Sequence, residues 1–262
     1  LLAGFYLLRL YDMPTATYVA AVLNVTVAAL AMGLATFTAH DAEGADAATE
    51  GGAMFVRSAW PVYGVIALSG LTALGAEVVW TRLLSLLLGG TTYTFSIILA
   101  VFLIGIGIGS SAGAALSRGK LSANVALGIC QLLLVVSVAW SAYMIAKALP
   151  YWPIDPGLSP SPQFTLEIDF ARALWTVLPA ALLWGASFPL ALAAVAEPGQ
   201  DPGRLVGGVY AANTVGAIVG ALLFSIFLVP AIGTQNSQRA LMVLSAVAAL
   251  LLLVPFVRGR AA

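Results

Sequence analysis

Glu77, Trp80 and Arg82 stand inside the run GAEVVWTRLLSLLLGGTTYTFS, whose surroundings are apolar for several helical turns. A carboxylate in such a run is the residue best suited to chemistry, because burying its charge near mid-membrane costs about 2.5–3.5 kcal/mol. Arg82 follows Glu77 by five positions, about 140° around a helix, so the two do not stack as an i,i+4 pair would. Glu77 is therefore expected to meet a group on another helix. It would serve there either as a buried ion-pair or hydrogen-bond anchor, or as a proton, cation or polyamine site. Arg82 can reach toward the nearer interface. Asn213 is the third polar candidate, open to two readings: an interhelical clasp of the kind that averages ~0.6 kcal/mol, or a substrate contact. Asn24 and Gln131 read as clasps.

Other chemistry is poorly supplied. His40 is the sole histidine and Cys130 the sole cysteine, which leaves no zinc or haem set of the common kinds and no disulfide framework. No Ser–His–Asp arrangement or phosphate loop is present, no catalytic motif is recognisable, and no cofactor is evident. The GIGIG stretch at 105–109 lacks the strand and surrounding unit of a nucleotide loop. Eleven basic residues balance eleven acidic ones, so the basic stripe that a nucleic acid requires is missing.

The elements that must carry these residues are membrane helices. Of 262 residues, 61% are hydrophobic and only 8% charged, against about 25% charged in an ordinary soluble domain. The apolar stretches reach 20 or more residues, long enough for a hydrocarbon layer of ~30 Å. They lack the period-two alternation of a transmembrane barrel. The expected fold is all-α, a polytopic transmembrane bundle. A truncated first segment at 1–10 precedes seven full spans near 14–39, 59–88, 92–117, 121–149, 167–196, 205–230 and 236–257. The sixth of the eight segments is expected to be broken at Pro179 and again at Gly185–Pro189. Broken helices border binding sites in transporters, although proline kinks are also routine in membranes. Gly105, Gly109 and Gly113 form one small-residue row, and Gly208, Ala212, Gly216 and Gly220 another. Both read as helix-packing faces.

Residues 40–58, with Asp41, Glu43, Asp46 and Glu50 among Gly and Ala, read as an acidic flexible linker. A Pro-rich loop covers 150–163. LLAGFYLL at 1–8 lines up with LLFSIFLV at 222–229, which suggests a transporter-like repeat, inverted or parallel. Residues 1–39 would then close a first repeat, entered as a fragment, and 59–262 would be a second of about six spans. With the last span ending inside, the inner loops hold Arg57, Arg118, Lys120, Arg204, Arg258 and Arg260, against Arg9, Lys147, Arg172 and Arg239 outside. That count puts the C-terminus in the cytoplasm of a bacterial inner membrane.

Three stretches in order, GAEVVWTRLLSLLLGGTTYTFS with FLIGIGIGS, then LLWGASFPLAL, then GRLVGGVYAANTVGAIVGALLFSIFLVP, cover most of residues 70–230. Together they resemble the membrane part of spermidine synthase-like proteins, the fused major-facilitator/spermidine synthase family. The resemblance implies that Glu77, Trp80, Arg82, Pro189, Tyr210 and Asn213 are motif positions of undefined role. Members of that family typically carry a cytoplasmic aminopropyltransferase-like domain after the last span. Its Gly-rich loop and acidic catalytic residues are absent from these 262 residues. The function implied is transport or channelling of polyamines or similar small cations. The competing reading is a non-catalytic scaffold or accessory subunit. Its expected partners are the lipid bilayer and either other membrane subunits or a missing soluble domain.

Overall fold

A computed structural model describes Tyr6 and residues 10–37, 59–152, 162–196 and 200–260. The truncated segment at 1–10 apart from Tyr6 and Leu10, the whole acidic linker and the centre of the Pro-rich loop lie outside the described residues, as does the first copy of the suggested repeat apart from Tyr6. The chain divides into two compact units, residues 1–55 and 56–262.

The first unit contributes one helix, α1 (Met13–Phe37). Asp12 starts it by accepting from the backbone N–H of Thr15 at 3.2 Å and from its hydroxyl. The Thr15 hydroxyl and N–H hold the Asp12 carboxyl below its ordinary value. Such a cap satisfies N–H groups that have no partner within the first turn.

The second unit is entirely helical among the described residues: α2 (Trp60–Leu88), α3 (Thr92–Leu116), α4 (Ala123–Tyr143), α5 (Pro162–Val195), α6 (Pro202–Leu222) and α7 (Val229–Arg260). Gly89, at φ 101°, ends α2, and Thr91 caps α3 by accepting from the Thr94 N–H at 3.2 Å. Wider π-type turns prolong α4 over Met144–Ala148 and α6 over Leu223–Leu228. Six stretches of the described chain are long and apolar enough to cross a membrane. The last of them, Pro202–Val257, has 56 residues, or about 84 Å as one helix, far beyond the ~30 Å that one crossing needs. Gly233 interrupts it at φ 76° and ψ 169°. Only glycine enters that backbone region without strain. The loop expected between 230 and 236 contracts to this single residue.

Helix directions follow from the contacts. Gly105, Gly109 and Gly113 of α3 meet Ala181, Leu182 and Ala186 of α5 in ascending order, so these helices run parallel. Gly208, Gly216 and Gly220 of α6 meet Tyr63, Ala67 and Leu71 of α2, also in parallel. α4 is antiparallel to α5, with Gln131 bonded to Ser187 and Ser141 to Thr176. The main helix contacts therefore join elements distant in the chain, α3 with α5 and α2 with α6. The core includes Val62, Ile66, Leu127, Cys130, Leu190 and Leu252, contributed by α2, α4, α5 and α7.

One expectation is corrected. α5 is not broken: it runs from Pro162 to Val195 with Pro179 and Pro189 inside. Proline at 179 deprives the Trp175 carbonyl of its helical donor. The indole N–H of Trp140 on α4 donates to that carbonyl at 3.1 Å, and the Ser141 hydroxyl donates to the next one, Thr176, at 2.6 Å. Donors on the neighbouring helix keep the backbone around the proline satisfied.

Candidate functional site

Glu77 lies eleven residues from the end of α2, about 16 Å of helical rise and close to half of a hydrocarbon layer. It is half-buried and opens into a groove of about 460 Å³ lined by Leu74, Glu77, Val78, Thr81, Arg82 and Ser85 of α2 and by Phe95 of α3. The α2 residues recur every three or four positions, which makes one helical stripe. Glu77 itself stands about 80–120° around the helix from Ala67 and Leu71, which face α6. A second expectation is corrected: Glu77 meets no hydrogen-bond partner or counterion on another helix among the described residues. Arg82 is exposed on the same groove wall and is not ion-paired to it. Thr81, Ser85 and Phe95 complete the lining and carry no distinguishing signal in the sequence, although Thr81 and Ser85 follow Glu77 by four and eight positions.

Asn213 is half-buried on α6 and lies against Gly70 of α2, where a Cβ would stand 2.8 Å from its side-chain oxygen. The contact is one turn before Leu74, outside the lining of the groove.

The other motif positions go elsewhere. Trp80 is fully buried, with its ring 5.5 Å from that of Trp184. Trp184 packs 6.0 Å from Phe102 and donates to the Thr72 hydroxyl at 3.1 Å, joining α5, α3 and α2. Its role has no local signal in the sequence, since Thr72 is 112 positions away. Pro189 sits inside α5, where its ring would lie 2.8 Å from a Cβ on Gly113. Tyr210 is 62% exposed and meets the ring edge of Phe188 at 6.4 Å.

The small-residue rows lie within the bundle. A methyl group on Gly109 would overlap the Leu182 carbonyl, and one on Gly216 or Gly220 the carbonyls of Ala67 and Leu71. Gly208 has the Tyr63 ring beside it, and a Cβ there would stand 3.2 Å from the Tyr63 hydroxyl oxygen. Gly105 faces Ala181.

Interior polar groups hold the helices to one another. Gln131 donates to the Ser187 hydroxyl at 3.0 Å, and Ser187 donates to the Leu183 carbonyl at 2.9 Å. The Cys130 thiol donates to that carbonyl at 3.2 Å. Arg172, counted above among outer basic residues, is 8% exposed within α5 and pairs with Asp169 at 3.4 Å. No group of three or more His, Cys, Asp or Glu suited to a metal ion occurs among the described residues.

No protein-family model matches the chain, and no solved structure does. Two relatives are found in Streptomyces coelicolor. The chain is 30% identical over 166 residues to Polyamine aminopropyltransferase 2, covering 60% of the chain and 27% of the relative. It is 25% identical over 179 residues to Polyamine aminopropyltransferase 1, covering 68% of the chain and 30% of the relative. The chain thus spans less than a third of the length of the curated relatives it matches. These likenesses support a weak, partial relationship to polyamine aminopropyltransferases.

Proposed function

We propose that this chain is a membrane domain of a spermidine synthase-like protein, and that it takes polyamines or similar small organic cations at the Glu77 groove for transport or channelling. The observation that carries the reading is a carboxylate about half-way through an apolar helix, open to a groove and lacking a counterion among the described residues. A bound ammonium group would supply the missing charge. The relatives named for polyamine chemistry support the substrate class. Aminopropyl transfer itself we assign to the parts of those relatives that the chain does not span. In this reading the protein is multi-pass in a bacterial inner membrane, with seven full crossings after a truncated one and a cytoplasmic C-terminus. The helix directions are compatible with that alternation, and the break at Gly233 would separate the last two crossings.

The scaffold alternative draws on the small-residue faces as surfaces for other subunits. Gly105, Gly109, Gly113, Gly208, Gly216 and Gly220 all meet helices of this same chain, so the alternative is carried by the low polar content of the spans.

Uptake of radiolabelled putrescine and spermidine into proteoliposomes holding the full chain tests the proposal. Uptake above empty liposomes, reduced at least ten-fold by Glu77→Gln, is the expected result. Equal uptake by the two proteins would overturn it.

A further inference from the structure

Two unsatisfied groups of opposite kind stand three residues apart on α2. Glu77 is half-buried and has no counterion among the described residues. Trp80 is fully buried, and its indole Nε1 has no hydrogen-bond partner among the described residues. A buried donor without an acceptor is costly, so an acceptor within reach is taken up. The neighbouring ring, Trp184, supplies none, because its own N–H is a donor and is committed to the Thr72 hydroxyl. Helix geometry places Glu77 on a border. Around the α2 axis, Trp80 stands about 60° to one side of Glu77, and Ala73 and Leu84 are also buried on that side. Thr81 stands about 40° and Ser85 about 80° to the other side, within the groove lining. Residues three apart on a helix have Cβ atoms about 5–6 Å from each other. Helical side chains lean toward the N-terminus, so the Trp80 indole lies over the turn that carries Glu77. Rotation about the Glu77 side-chain bonds therefore brings its carboxylate from the groove within reach of the indole N–H.

We infer that the Glu77 carboxylate exchanges between two positions, one facing the groove, where it takes an ammonium group, and one accepting from the Trp80 indole N–H. The structure holds the first of them. Trp80 is then a positioning residue for the site. It satisfies the carboxylate between ligands and competes with an arriving cation for the same oxygens. The fraction of protein whose carboxylate faces outward sets the apparent affinity. This competing role rests on the reading that the groove receives organic cations; the carboxylate–indole bond does not.

The test is the indole N–H signal of Trp80 in nuclear magnetic resonance of the full chain in detergent, labelled at tryptophan nitrogen. Six tryptophans give six such signals. Trp80→benzothienylalanine, which keeps the shape and puts sulfur in place of the N–H, removes the one that belongs to Trp80. Without ligand, Glu77→Leu should move that signal toward the position of an unbonded indole. Glu77→Gln keeps an oxygen acceptor and should move it less than half as far. Putrescine should move it in the same direction as Glu77→Leu in the parent and leave it in place in Glu77→Gln. In proteoliposomes, Trp80→benzothienylalanine should lower the half-saturating putrescine concentration by about three-fold or more, because no donor then competes for the carboxylate. A signal that Glu77→Leu does not move overturns the carboxylate–indole bond, while uptake that still depends on Glu77 leaves the cation reading standing. A half-saturation unchanged or raised by the isostere overturns the competing role. Uptake indifferent to Glu77→Gln overturns the cation reading and the competition with it.

Discussion

The α4–α5 seam and the outward stripe of α2 treat polar residues in opposite ways. In the seam, Trp140, Ser141, Cys130 and Gln131 each donate to a named atom of α5. Along the stripe, Glu77 and Arg82 share a groove without pairing. Hydrocarbon penalises an unsatisfied polar group by several kcal/mol, so a seam that satisfies its donors contributes to folding. An unpaired carboxylate detracts from it. The difference teaches that polarity in these helices has two uses, and that a partner inside the chain separates them.

The largest expected effect lies in the packed interior. Gly109→Val adds three carbons where a single one already overlaps the Leu182 carbonyl. It should force α3 away from α5 and destabilise the fold by about 3 kcal/mol. Two positions away, a Cβ added to Gly107 would meet nothing within 4 Å, so Gly107→Val should stay within about 0.5 kcal/mol. Thermal unfolding in mild detergent measures both. Similar losses for the two variants would mean that the glycine row is not the closely packed surface.

An intermediate effect separates the proline from its rescue. Trp140→Phe removes the N–H that serves the Trp175 carbonyl and should cost about 1 kcal/mol, within the range for hydrogen bonds between membrane helices. In a Pro179→Ala background the alanine's backbone N–H takes over that carbonyl, so the same Trp140→Phe change should cost less than half as much. Equal costs in the two backgrounds would show that the indole contributes by packing alone, and the seam would lose its claim to satisfy the kink.

The same contrast explains what can be read from the chain alone. Apolar length and low charge define the helices, because a membrane imposes them segment by segment. The rows at Gly105–Gly113 and Gly208–Gly220 are equally local patterns. Pro179 reads as a break because its remedy comes from Trp140, 35 residues upstream of the freed Trp175 carbonyl and on a helix whose register no local pattern states. Trp184 escapes notice for the same reason. Glu77 is recognisably unusual, but that it has no partner among the described residues depends on how α2 packs against the other helices. Chemistry is legible where a single residue is out of character. Partnership is not, because it is a property of pairs distant in sequence.

The smallest change in stability should come from the residue with the largest functional weight. Glu77→Gln keeps the side chain's shape and removes a charge that no counterion among the described residues offsets. Apolar surroundings penalise a carboxylate more than an amide, so the variant should unfold within about 0.5 kcal/mol of the parent or somewhat above it. Polyamine addition should raise the unfolding temperature of the parent through mass action on the folded state, and should leave that of Glu77→Gln unchanged. The two readouts must move apart for the comparison to hold. If Glu77→Gln instead loses about 2 kcal/mol or more, approaching the effect of breaking a buried charge pair, then Glu77 has a structural partner. The outward stripe would then belong with the seam as part of what holds the helices together.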